Sequence, residues 1–206
     1  RDIHDHIRGA DPHSGLRVAV LDCWGKLRSW QAFTVAHALT YKQTHSFYGV
    51  LEALSGMAVD VEFLSFDDVI GSGIDPSIDV IVNCGSHGTA FSGGERWRDP
   101  RLVSTMRSWI RDGGGFVGVG EPTATPYQGR YFQLADCFGV EREMSQSLSV
   151  DKNHYGVAAD HFITADVSGP LDFGESTRDV YTVDENTQVL EYSNGEVHAA
   201  ALTAGR

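Results

Sequence analysis

The chain has 206 residues, 41% of them hydrophobic, which is enough apolar content for one substantial core without disulfide or metal staples. Its 28 acidic side chains outweigh 16 basic ones for a formal net charge of -12, and no Lys/Arg cluster is present to follow a phosphate backbone, which excludes nucleic acid as an expected partner. No apolar run approaches the roughly 20 residues of a membrane span, and the opening RDIHDHIRGADPHSG lacks the apolar centre of a secretory signal, so the expectation is a soluble, cytoplasmic protein with no membrane partner.

Residues 1–15 are polar and show no apolar period, and they read as a linker from an upstream domain. His4 and His6 form an H-x-H pair with no Cys or carboxylate at fixed spacing, so no metal site is expected there. Residues 16–206 read as one α/β domain cut from a longer chain. Leu16 to Asp22 is its first strand, followed by a polar loop carrying Trp24, Lys26, Arg28 and Trp30. Ser46 to Gly56 spaces Phe47, Val50, Leu51 and Leu54 as one helical face, with Ser46 as N-cap and Gly56 beyond the C-terminus. Val59 to Phe66 alternates as a sheet-edge strand should, whereas Asp79 to Gly85 reads as a buried one. A second glycine-rich loop, Ser86 to Gly94, follows and carries His87.

Asp99-Pro100 marks a helix start whose apolar face is Leu102, Val103, Met106, Trp109 and Ile110. After the glycines at 113–115, Phe116 to Gly120 has the composition of a strand in the middle of a parallel sheet, and it stops at an elbow, Glu121-Pro122. The triple glycine lacks the Lys-Ser/Thr of a P-loop and the spacing of a dinucleotide fingerprint, so no nucleotide cofactor is expected. Tyr131 to Phe138 reads as a short helix closed by Gly139. Three strands end the chain, at Val180 to Val183, Gln188 to Tyr192 and Glu196 to Leu202, the last two joined by the hairpin turn Ser193-Asn194-Gly195-Glu196. Cys23, Cys84 and Cys137 are too few and too far apart for a disulfide framework or a CxxC site, and buried thiols are expected.

Strands alternating with helices imply right-handed crossovers and a parallel sheet flanked by helices. The loops after Leu21, Asn83 and Gly120 then share one edge, which brings Trp24, Arg28, His87 and Glu121 to one crevice. Two readings stand for each of these residues. Glu121 is either an acid, base or sugar ligand, or a carboxylate capping the next helix. His87 is a proton donor or an exposed loop residue. Trp24 and Trp30 stack on a sugar or pack at an interface.

The elbow resembles that of the class I glutamine amidotransferases, a flavodoxin-like architecture in which a cysteine stands where this chain has Gly120. The stretches VLDCWGKLRSW at 20–30, VEFLSFDD at 61–68, AFSGG at 90–94 and 113–122 together resemble the middle, amidotransferase-like domain of the galacto-N-biose/lacto-N-biose phosphorylases. That likeness runs from about Leu16 to Arg206, and WGKLRSW is its most specific part. The resemblance implies an inverting phosphorylase that converts a β-1,3-galactosyl-N-acetylhexosamine and phosphate into α-galactose 1-phosphate and the free hexosamine, with inorganic phosphate as substrate and no other cofactor. It places the catalytic acid in an N-terminal (β/α)8 barrel of about 250 residues, for which this chain is too short. This domain would pack against the barrel and a second subunit, hold no catalytic residue and be inactive alone. The alternative is a free-standing small-molecule binding or hydrolytic protein that uses Glu121 and His87.

Overall fold

A computed structural model of the chain describes residues 15–22, 42–144, 161–169, 179–193 and 196–205. The linker at 1–14 and the loop holding Trp24, Arg28 and Trp30 lie outside the described residues.

Four strands form a parallel sheet in the order β2-β1-β3-β4: β1 is Arg17–Asp22, β2 Asp60–Ser65, β3 Val80–Gly85 and β4 Gly115–Gly120. This matches the first four places of a flavodoxin-like sheet. Successive side chains on a strand face opposite ways, so each strand feeds two cores. Val18, Val20, Val82 and Cys84 meet Phe47, Val50 and Leu51 of helix α1, Lys42–Ser55. On the other face Ala19, Leu21 and Ile81 pack under α2, Phe66–Ser72, and α3, Pro100–Arg111. Trp97, from a 3-10 turn at Gly94–Arg98, is fully buried in that second core and meets Phe66 edge to face at 5.5 Å.

The expected start of α3 is observed: Asp99 accepts the Arg101 N–H, and Pro100 occupies the first turn. Helix α1 begins at Lys42, so Ser46 lies inside it rather than capping it. Helix α2 was not anticipated. Its signal is a serine N-cap: the Ser65 hydroxyl accepts the Asp68 N–H at 3.0 Å.

The middle position expected for β4 is not seen among the described residues: there it is an edge strand, and Val117 is 46% exposed. The chain does not return through a helix after the elbow. It turns instead into an antiparallel ribbon, β5 (Ala124–Tyr127) and β6 (Arg130–Phe132), so no parallel strand follows on that side among the described residues. The expected helix at 131–138 is therefore half strand: only Ala135–Phe138, α4, is helical, and Gly139 closes it. Strand β7, Val140–Arg142, pairs antiparallel with β8, Val180–Thr182. The anticipated hairpin is β9, Gln188–Ser193, with β10, Glu196–Ala201. Ala124, Phe132, Val180, Val189 and Val197 form a smaller core beneath this ribbon layer.

Candidate functional site

The strand ends and the ribbon converge on Glu121. The Glu121 N–H extends the β3–β4 ladder by donating to Gly85 O at 2.9 Å, which fixes where its side chain leaves the sheet. Gly120 precedes it with φ +80, and a Cβ there would come to 3.1 Å from both Gly85 O and Ser46 Oγ. Any side chain at this elbow would meet both strain and close contact.

The Glu121 carboxylate is held by three donors. The His87 backbone N–H reaches Oε2 at 2.8 Å. The Tyr131 hydroxyl and Arg142 Nη1 reach Oε1 at 2.7 and 2.9 Å. Arg142 also donates to the Tyr131 hydroxyl at 2.7 Å and lies 4.6 Å from its ring centroid. Burial, and then the neighbouring Glu121 carboxylate, push the Tyr131 phenol above its ordinary range despite the opposing Arg142 charge. Tyr131 is gripped at its other end too: buried Glu141 accepts the Tyr131 N–H at 3.1 Å, the Phe132 N–H at 2.9 Å and the Arg142 N–H at 2.8 Å. Burial raises the Glu141 carboxyl even against those three bonds.

A second bridge lies behind the first. Asn83, fully buried near the end of β3, donates to Phe91 O and Ser92 O at 3.2 and 3.3 Å and accepts the Thr123 N–H at 2.8 Å. It thereby joins the loop after β3 to the elbow after β4. Thr123 has φ +57, and its buried hydroxyl has no partner among the described residues.

The structure thus brings His87 and Glu121 together, through the His87 backbone; the His87 ring is exposed, with its centroid 5.5 Å from that of Tyr131. The element next after Glu121 is the strand β5 and not a helix, so its carboxylate does not cap a helix that starts at the elbow. Asn83, Tyr131, Glu141 and Arg142 were not singled out from the sequence. Apart from the Arg142 N–H next to Glu141, their partners stand eight to forty residues away, and no spacing rule links them. Chemically, the arrangement is a saturated carboxylate that ties two loops and a ribbon together beneath one exposed imidazole. No group of three or more His, Cys, Asp or Glu able to hold a metal occurs among the described residues, and no helix there is long and apolar enough to cross a membrane.

The molecule is therefore an α/β domain with a short parallel sheet, whose strand ends carry a tightly wired polar node. Residues 17–206 match the family of the lacto-N-biose phosphorylase central domain, and the chain belongs to that family. It is 48% identical to the 1,3-β-galactosyl-N-acetylhexosamine phosphorylase of Bifidobacterium longum subsp. longum, across all of this chain and 32% of that protein. Two phosphorylases of the same description from Lachnoclostridium phytofermentans are 42% and 44% identical across all of this chain and 28% of each protein. A D-galactosyl-β-1→4-L-rhamnose phosphorylase from that organism is 31% identical over 87% of this chain. The chain thus spans under a third of the length of these relatives.

Proposed function

We propose that this domain is the non-catalytic central part of an inverting phosphorylase that acts on β-1,3-galactosyl-N-acetylhexosamines in the cytoplasm. The parent enzyme would pass galactose to inorganic phosphate, giving α-galactose 1-phosphate and the free hexosamine, with the acid that protonates the leaving oxygen supplied by an upstream (β/α)8 barrel. The observation that carries this reading is the identity of 42–48% to three 1,3-β-galactosyl-N-acetylhexosamine phosphorylases over the whole chain, when the chain makes up only 28–32% of each. The site geometry supports it. A carboxylate already accepting from Arg142, Tyr131 and the His87 N–H is built to hold loops in place, and its donors leave little room for it to serve as a proton shuttle. The flavodoxin-like strand order and the positive-φ elbow at Gly120 favour a class I glutamine amidotransferase-like scaffold. Trp24, Arg28 and Trp30 would dock on the barrel or on a second subunit.

A second reading keeps Glu121 and His87 as working groups of a small-molecule or hydrolytic site. The exposed His87 ring beside Tyr131 is what favours it. Glu121→Gln in the full-length enzyme separates the two. Loss of a general acid or base lowers turnover by about 10²–10⁴-fold. The accessory role predicts that kcat stays within roughly a factor of ten, a drop smaller than any in that range. The 206-residue chain alone should form no galactose 1-phosphate from lacto-N-biose and phosphate, and turnover by it would overturn the accessory role.

A further inference from the structure

The two edges of the sheet are built differently. Strand β2, at one edge, alternates Asp60 and Glu62 with its apolar residues, and inserted charge is the usual guard against unwanted strand pairing. Strand β4, at the other edge, is GFVGVG: no charge, no proline and no bulge in its ladder with β3. In that ladder the N–H groups of Gly115 and Glu121 point at β3, to Asp79 O and Gly85 O, so those of Phe116, Gly118 and Gly120 point outward. Among the described residues no strand pairs with them. A cleft of about 1760 Å³ is lined by Val117 and Val119 of this strand, by Val197 and Ala199 of β10, and by the charged side chains of Glu121 and Arg142. Phe162, 82% exposed, and Ile163, 53% exposed, also line it.

A six-residue, uncharged edge whose outward backbone groups meet no strand among the described residues is a template for an added strand, and left bare it would be an aggregation site. We propose that the outer edge of β4 seats one further β-strand, contributed by the parent polypeptide outside residues 1–206. This rests on the domain reading above. Its support is the length of the relatives, in which 68–72% of the chain lies outside the matched span (100 less 32, and 100 less 28) and is tethered beside this domain. The added strand pairs with Phe116, Gly118 and Gly120 through its backbone. It sets an apolar side chain against Val117, and small residues opposite the two glycines.

Hydrogen exchange on the wild-type full-length enzyme tests the pairing. The outward amides of Phe116, Gly118 and Gly120 should exchange roughly a hundredfold or more slower than unstructured chain, as their inward neighbours do. Exchange near the unstructured rate means an open edge and overturns the proposal. A photo-crosslinking residue at Val117, or Val117→Cys with a short thiol crosslinker should that variant fold poorly, identifies the occupant. Capture of a peptide from outside residues 1–206 of the same chain supports the proposal. Capture of a peptide from within them, or of a second copy recognised in a mixture of isotope-labelled and unlabelled enzyme, overturns it. Phosphorolysis by the same wild-type preparation is assayed in parallel, so failure of the enzymatic reading shows as missing galactose 1-phosphate and is scored apart from the amides.

Discussion

Asn83 accepts the backbone N–H of Thr123 at 2.8 Å, although forty residues separate them in the chain. The same side chain donates to Phe91 O and Ser92 O, so one buried amide keeps both glycine-bearing loops in register. Asn83→Leu has similar volume but removes the acceptor of the buried Thr123 N–H, whereas Ser92 O keeps the Trp97 indole N–H as a donor. A buried donor left unsatisfied costs about 1–3 kcal/mol, so the substitution should lower the urea-unfolding free energy of the domain by about that much. A loss under about 1 kcal/mol would show that the bridge is dispensable.

Glu121 and Arg142 are only 19% and 31% exposed at their side chains, so their ion pair at 2.9 Å is partly shielded from solvent. A double-mutant cycle of Glu121→Gln and Arg142→Met should therefore give a coupling of about 1–2 kcal/mol, above the exposed-pair range of about 0.2–1. Glu121→Gln keeps one acceptor oxygen, enough for either the Tyr131 hydroxyl or the His87 N–H but not for both. Arg142→Met removes every donor of that side chain, so by itself Glu121→Gln should be the milder change. The reverse order would mean that charge on Glu121 matters more than its geometry.

Much of the parallel sheet can be read directly from the residues. Val18 to Leu21 and Ile81 to Cys84 are apolar enough to be interior strands, and Asp99-Pro100 announces α3 through capping chemistry alone. The edge position of β4 is not legible in this way, because GFVGVG has the composition of an interior strand and only the lack of a neighbour among the described residues shows otherwise. The ribbon strands β6 and β7 have three residues each, too few for a period-2 pattern to stand out. The polar node was half legible. Glu121 and His87 sit at strand ends, where topology concentrates function, but Arg142 and Tyr131 reach them through tertiary packing.

Cys84 is buried against the α1 face. Burial, with the Asp22 charge adding to it, pushes its thiol from an ordinary 9.0 to about 12. Tyr131 is shifted in the same direction by burial and Glu121. Both groups lose a proton in the unfolded chain before they do in the folded one, so between pH 9 and about 12 the folded state holds more protons. Stability is therefore complete below about pH 9 and falls as pH rises, by at most about 1.4 kcal/mol per pH unit for each group. Cys84→Ala should flatten this alkaline slope while lowering the plateau, which urea titrations at stepped pH would show.

The same burial should keep Cys84 and Cys137 slow toward a thiol reagent at neutral pH in the native fold, since the thiolate is the reactive species. Denaturant should make both react at the rate of a free thiol. Peptide mapping after a short native exposure to iodoacetamide gives the answer, and full labelling of Cys84 would contradict its buried, protonated state.

Two glycines make opposite predictions for one substitution. Gly93 stands at φ +93, where a Cβ would lie 2.5 Å from Phe66 Cζ and 2.8 Å from Trp97 Nε1. Those rings cannot retreat: both are fully buried, and Trp97 Nε1 donates to Ser92 O at 2.6 Å. Gly93→Ala therefore combines left-handed strain of about 1–2 kcal/mol with overpacking of about 1–3 kcal/mol, a total of roughly 2–5 kcal/mol. Gly49 sits inside α1 and is exposed, and a Cβ added there would meet nothing within 4 Å. At that position the alanine should stabilise by about 0.5–1 kcal/mol, through helix propensity alone. Urea unfolding of the two variants beside the wild type should move the midpoint in opposite directions. Shifts of the same sign would mean either that the Phe66–Trp97 packing yields to the new methyl or that α1 gains nothing from a better helix former.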